Sequence, residues 1–117
     1  MANTIGTPTI NRARKNFTGW FSEMWSVQAT ISDQDAITAT DTVRFSLTVP
    51  GVALGDMCIG LSITNDLSDG TDQAILSAWV TAADTVVVQV TADVGQYAID
   101  DLNNAVVRIL IGRPDGW

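Results

Sequence analysis

Between Thr42 and Val49 the chain alternates without a fault: Val43, Phe45, Leu47 and Val49 are apolar, and Thr42, Arg44, Ser46 and Thr48 are polar. Successive side chains of a strand point to opposite faces, so this run predicts a β-strand with one face buried and one wet. The run Met57–Thr64 repeats the pattern, with Met57, Ile59, Leu61 and Ile63 on one face and Cys58, Gly60, Ser62 and Thr64 on the other. Thr85–Ala92 sets Val86, Val88 and Val90 on one side, and Ala105–Ile111 does the same with Val107, Ile109 and Ile111. Weaker strands are predicted at Val27–Ser32 and Ala74–Thr81, with a short further one near Tyr97. Val87 and Leu110 place apolar residues on the second face of their strands, which predicts central strands or an outer face used in subunit packing.

The punctuation between these runs is turn chemistry. Pro50-Gly51, Gly55-Asp56, Asp69-Gly70, Ala83-Asp84 and Asp93-Val94-Gly95 supply a fixed φ, a positive φ or an Asx turn. Short β-branched strands divided in this way, with no long helical period among them, predict an all-β fold: an antiparallel β-sandwich, jelly-roll-like.

The first 25 residues break the pattern. Residues 1–16 are polar and turn-prone, which predicts an extended arm. Phe17, Trp20, Phe21, Met24 and Trp25 follow at i, i+3, i+4, i+7 and i+8, the stripe of a short amphipathic helix, which Gly19 weakens. The expected organisation is therefore an N-terminal arm or short helix over residues 1–25 and a β-sandwich domain over residues 26–117.

Charge sharpens that division. The chain has a net charge of −7. Arg12, Arg14 and Lys15 against Glu23 leave residues 1–25 at +2, and the remaining residues carry −9. A slightly basic head on an acidic body predicts two parts that face different surroundings. The acidic balance also argues against a protein that coats nucleic acid, which needs clustered Lys and Arg. No apolar stretch is long enough for a membrane span, and the start lacks the basic-then-apolar order of a secretory signal. The expectation is a soluble chain made in a cytoplasm, with no membrane or nucleic-acid partner.

Candidate chemistry is sparse. The sequence has no histidine and one cysteine, Cys58, so it lacks the commonest general base, an internal disulfide and a cysteine-based metal cluster. The acidic run Asn65–Asp72 does not fit the EF-hand spacing and reads as a turn. Adjacent Asp100 and Asp101 point apart on a strand or turn and lack a partner acid, which argues against a glycosidase-style pair. Gly51, Gly55 and Gly60 show neither the lysine nor the strand-to-helix context of a phosphate loop. The chain is expected to be no enzyme and to need no cofactor or metal. The candidate partner-interface residues are Arg12, Arg14, Lys15, Phe17, Trp20, Phe21, Met24 and Trp25. Aromatic anchors dominate interface energetics, and the same stripe equally suits the capping of an open sandwich end within its own subunit.

The order of features carries a resemblance. A strand runs into Val49-Pro50-Gly51, then Leu54-Gly55-Asp56, then Met57–Ile63; Trp79-Val80-Thr81-Ala82-Ala83-Asp84-Thr85-Val86, Val88-Gln89-Val90-Thr91 and Val106–Ile111 follow. Over residues 26–113 this resembles small β-sandwich decoration or cement proteins of tailed-phage capsids. That resemblance implies a structural virion protein on the outer capsid surface, bridging major capsid protein subunits and assembling as a homotrimer. Two other readings compete with it: another virion component of tail, neck or fibre, and a carbohydrate-binding module, for which Trp79 and Tyr97 are the candidate aromatics.

Overall fold

The computed structural model describes residues 4–14, 20–33, 42–64, 74–92 and 104–114. Eight strands account for most of them: β1 (Thr4–Ile5), β2 (Thr9–Ala13), β3 (Phe21–Asp33), β4 (Thr42–Thr48), β5 (Met57–Ile63), β6 (Ala74–Ala82), β7 (Thr85–Ala92) and β8 (Val106–Pro114). They form two antiparallel sheets packed as a β-sandwich. The larger runs β1-β3-β8-β5, with β2 on the same edge of β3 as β1, and the smaller runs β4-β7-β6. The six strands expected from alternation between residues 26 and 113 are all present. The strand expected near Tyr97 lies outside the described residues.

Alternation in the sequence becomes two layers here. β3 buries Trp25, Val27, Ala29 and Ile31, and β8 buries Val107, Ile109 and Ile111. Facing them are Phe45 and Leu47 of β4, Val80 of β6 and Val86, Val88 and Val90 of β7. Each such side chain contributes about 1.5–3 kcal/mol when taken out of water. This shared core is what holds the sheets together.

The head segment differs from the expectation. Residues 20–25 form a turn and the start of β3, not a helix, and no helix occurs among the described residues. Residues 4–13 are strand partners of β3, and the boundary expected between residues 25 and 26 falls inside that strand. The physical reason lies downstream of the stripe. Trp25 begins a strict in-out alternation through Ile31, and pairing with β8 from Phe21 to Thr30 satisfies the backbone as strand. Local helical spacing across five residues does not outweigh a cross-strand ladder of that length.

A second difference concerns β5. Cys58 pairs with Ile111 and Gly60 with Leu110, so Ile59 is an extra residue opposite a single step of β8. Such a bulge reverses the faces beyond it. Met57 and Ile59 consequently point outward and are exposed, while Cys58, Leu61 and Ile63 pack against the core.

Two successive turns shape the β4–β5 connection. In Val49-Pro50-Gly51-Val52 the proline presets φ and Gly51 takes φ 95°, with the Val52 N–H donating to the Val49 carbonyl at 3.4 Å. In Ala53-Leu54-Gly55-Asp56, Gly55 takes φ 99° and the Asp56 N–H donates to the Ala53 carbonyl at 3.0 Å. The β6–β7 turn locks onto this connection through Asp84, at φ 61°. Its N–H donates to the Val52 carbonyl, its carbonyl accepts from the Val49 N–H, and its Oδ1 accepts from the Gly51 N–H at 2.8 Å.

Candidate functional site

The β2–β3 hairpin and the β4–β5 turns meet at one end of the sandwich, and the densest polar cluster among the described residues sits there. β2 and β3 pair Arg12 with Trp25, which puts both side chains on the same face of the sheet. The guanidinium carbons of Arg12 and Arg113 lie 5.1 and 5.2 Å from the centroid of the Trp25 ring, and its indole N–H donates to the Pro50 carbonyl at 3.2 Å. Cations at that distance are attracted by the ring, an effect worth about 0.5–2 kcal/mol.

Carboxylates close the cluster. Arg12 donates to Glu23 at 2.8 Å, and Arg113 also reaches Glu23, at 3.5 Å. Arg113 engages both oxygens of Asp56, from Nε at 3.0 Å and from a terminal nitrogen at 2.9 Å, and donates to the Gly51 carbonyl at 2.8 Å. Asp56 additionally accepts from the Ala53 N–H at 2.8 Å, and its side chain is 4% exposed. The hydrogen bond to Asp56, helped by the charges of Asp56 and Glu23 and opposed by partial burial, raises the pKa of Arg113 above its ordinary value. The φ of Gly51 favours glycine, and a β-carbon there would fall 2.5 Å from the Arg12 guanidinium and push it off its place.

Around this core lies an exposed rim. Trp20, in the turn before β3, is 68% exposed. The Arg14 side chain is 67% exposed, 3.9 Å from Glu23, a carboxylate already held at shorter range by Arg12. Phe21 lays its ring over Gly112, where an added β-carbon would meet it at 2.6 Å, and pairs with Pro114. Pro114, Arg113, Met57 and Leu54 line a shallow hollow of about 390 Å³ beside it. Leu54, Met57, Ile59 and Leu110 continue the exposed apolar surface.

The structure thus divides the expected interface residues. Trp25 is fully buried in its own subunit, and Arg12 is committed to Glu23 and Trp25. Phe21 and Met24 are half-buried around Gly112 on the outer face of the larger sheet. Trp20 and Arg14 remain open. Lys15 and Phe17 lie outside the described residues, as do the acidic run 65–72 and the pair Asp100-Asp101. Among the described residues no group of three or more His, Cys, Asp or Glu side chains gathers as a metal site.

No protein-family model, curated protein or solved structure matches this chain. Glu23, Asp56 and Arg113 escaped the sequence reading because they are brought together from positions up to 90 residues apart. The only local sign was the turn pair Gly55-Asp56, whose aspartate proves to be the anchor of Arg113.

Proposed function

We propose that this chain is a non-enzymatic structural protein of a phage virion that decorates the capsid, docking on the major capsid protein through the rim around Trp20. The observation that carries this reading is the contrast between Trp20 and Trp25. One indole is locked between two guanidinium groups, and the other stands in solvent in the turn that leads into the same strand. Large aromatic side chains with neighbouring arginines are the residues that dominate protein interfaces. The resemblance in the order of strands and turns supplies the identity of the partner.

The geometry also dictates how the reading is tested. Removing residues 1–25 would delete β1, β2 and the start of β3, so truncation would unfold the sandwich instead of trimming an arm. Point variants are the right tool. Trp20→Ala and Arg14→Glu in the full chain should keep the thermal midpoint and lose occupancy on heads prepared without the protein. Wild-type occupancy by both variants would sink the proposal.

A carbohydrate-binding reading has one observation in its favour. Trp79 is partly exposed on the outer face of the smaller sheet, with the Arg44 guanidinium carbon 5.9 Å from its ring centroid and Gln89 accepting from Arg44 at 2.7 Å. A glycan array in which wild-type binds and Trp79→Ala does not would favour it over decoration.

A further inference from the structure

Among the described residues the sandwich has four lateral edges, and three of them carry devices that discourage pairing with another strand. The β1/β2 edge is broken at Gly6-Thr7-Pro8 and shifts register at Thr4/Ile5. β5 is bulged at Ile59, and β6 is bulged at Thr81. Bulges, prolines and short edge strands are how sheets avoid adding a neighbour.

β4 has none of these, and β1 lies alongside it without pairing to it. All seven residues, Thr42–Thr48, pair with β7 in unbroken register, with no proline and no bulge. Among the described residues no backbone group outside β7 bonds to them. The one charge on the strand, Arg44, is held on the outer face by Gln89. Beside the strand an open groove of about 440 Å³ runs between β4 and the first strands, lined by Ile5, Ile10 and Leu47 among others. A row of spare N–H and C=O groups bordering an apolar groove is what an extended strand recognises.

We infer that β4 is the seam through which two copies of this chain join, β4 pairing antiparallel with β4 of a second copy across a twofold axis at Phe45. The second copy is the occupant because the strand is complementary to itself. Centring on Phe45 uses all seven residues and sets Thr42 opposite Thr48, Val43 opposite Leu47 and Arg44 opposite Ser46. Threonine pairs and apolar pairs stabilise antiparallel neighbours, and like charges directly opposite destabilise them. Centring on Arg44 would oppose the two guanidinium groups. The Phe45 register avoids this and covers the half-buried Val43 with Leu47 of the other copy. The pairing is isologous, so it closes at two copies and merges two three-stranded sheets into one of six strands.

This seam does not rest on the decoration reading, whose resemblance implies three copies where the seam gives two, and purified full-length protein tests it without heads. Sedimentation velocity should give a species of twice the 12.5 kDa chain mass. Ser46 is exposed on the outer face, so it tolerates substitution without disturbing the core. Ser46→Lys places a lysine opposite Arg44 twice per dimer and should weaken association roughly three- to thirty-fold, and Ser46→Glu should strengthen it by a similar factor. Circular dichroism should match wild-type in both, as should thermal midpoints taken at a dilution where all three proteins are monomeric. A monomer at about 100 μM, a trimer, or a dimer whose affinity both variants move in the same direction or not at all would overturn the inference. A monomer that still decorated heads would remove the seam and leave the decoration reading standing.

Discussion

The ring of Phe21 occupies the space that a side chain at Gly112 would need. A β-carbon there would lie 2.6 Å from one ring carbon and 2.8 Å from the next. Glycine within a strand is ordinarily a weakness, and replacing it with alanine ordinarily helps. Here Gly112→Ala should destabilise by about 1–3 kcal/mol in urea unfolding through overpacking. In a Phe21→Ala background the same change should be neutral or favourable, and additivity of the two would refute the contact.

Asp56 should be the most sensitive carboxylate among the described residues. It takes two bonds from Arg113 and one from the Ala53 N–H while almost fully buried. Asp56→Ala leaves a buried N–H without its acceptor and frees an arginine that can still reach water. The expected loss is about 2–3 kcal/mol, less than for a pair buried on both sides. Asp56→Asn retains an acceptor and should lose about half as much. Equal midpoints for wild-type and Asp56→Ala in chemical denaturation would contradict this account.

The β5 bulge makes neighbouring apolar residues unequal. Ile59→Ser should cost under about 1 kcal/mol because its side chain already faces solvent. Leu61→Ala, on the core side, should cost about 1–3 kcal/mol, the lower part of the range for large-to-small changes because Leu61 is only half-buried. Reversed costs would mean that the strand keeps its faces throughout.

Cys58 offers a pH test. Burial, and then the nearby charge of Asp56, push its thiol above its ordinary value of 9.0. The folded state therefore holds the proton more tightly than the unfolded chain. The thiol's contribution to stability is complete below pH 9.0 and declines as pH rises from there through the folded value. Alkylation at pH 8 should run slower than in urea, and Cys58→Ser should remove this part of the alkaline decline. Equal alkylation rates in buffer and urea would show the thiol to be unprotected.

Over β4 and β7 the alternation written in the sequence agrees with the structure. β4 and β7 have the expected faces residue by residue, and Pro50-Gly51 and Gly55-Asp56 are turns of the expected chemistry. The misreadings came from features that alternation cannot carry. One inserted residue at Ile59 reverses a face without altering composition. Aromatic spacing at Trp20, Phe21, Met24 and Trp25 reads as a helical turn where the structure has strand, yet the alternation Trp25, Val27, Ala29 and Ile31 was already written beyond it. The cluster on Trp25 was invisible for another reason. Arg12, Glu23, Asp56 and Arg113 lie on separate strands or turns, and only the folded register makes them neighbours. The candidate rim was half legible: the sequence marked Trp20 and Arg14 but could not separate them from Trp25 and Arg12.

The 13-residue strand β3 has a consequence for tension. Thr4 is bound near its final residue and Pro114 near its first, on opposite flanks of the same strand. A pull that separates residues 4 and 114 therefore runs along the strands, straining many cross-links at once instead of peeling them singly. Force-extension traces between those positions should show one high rupture and no staircase.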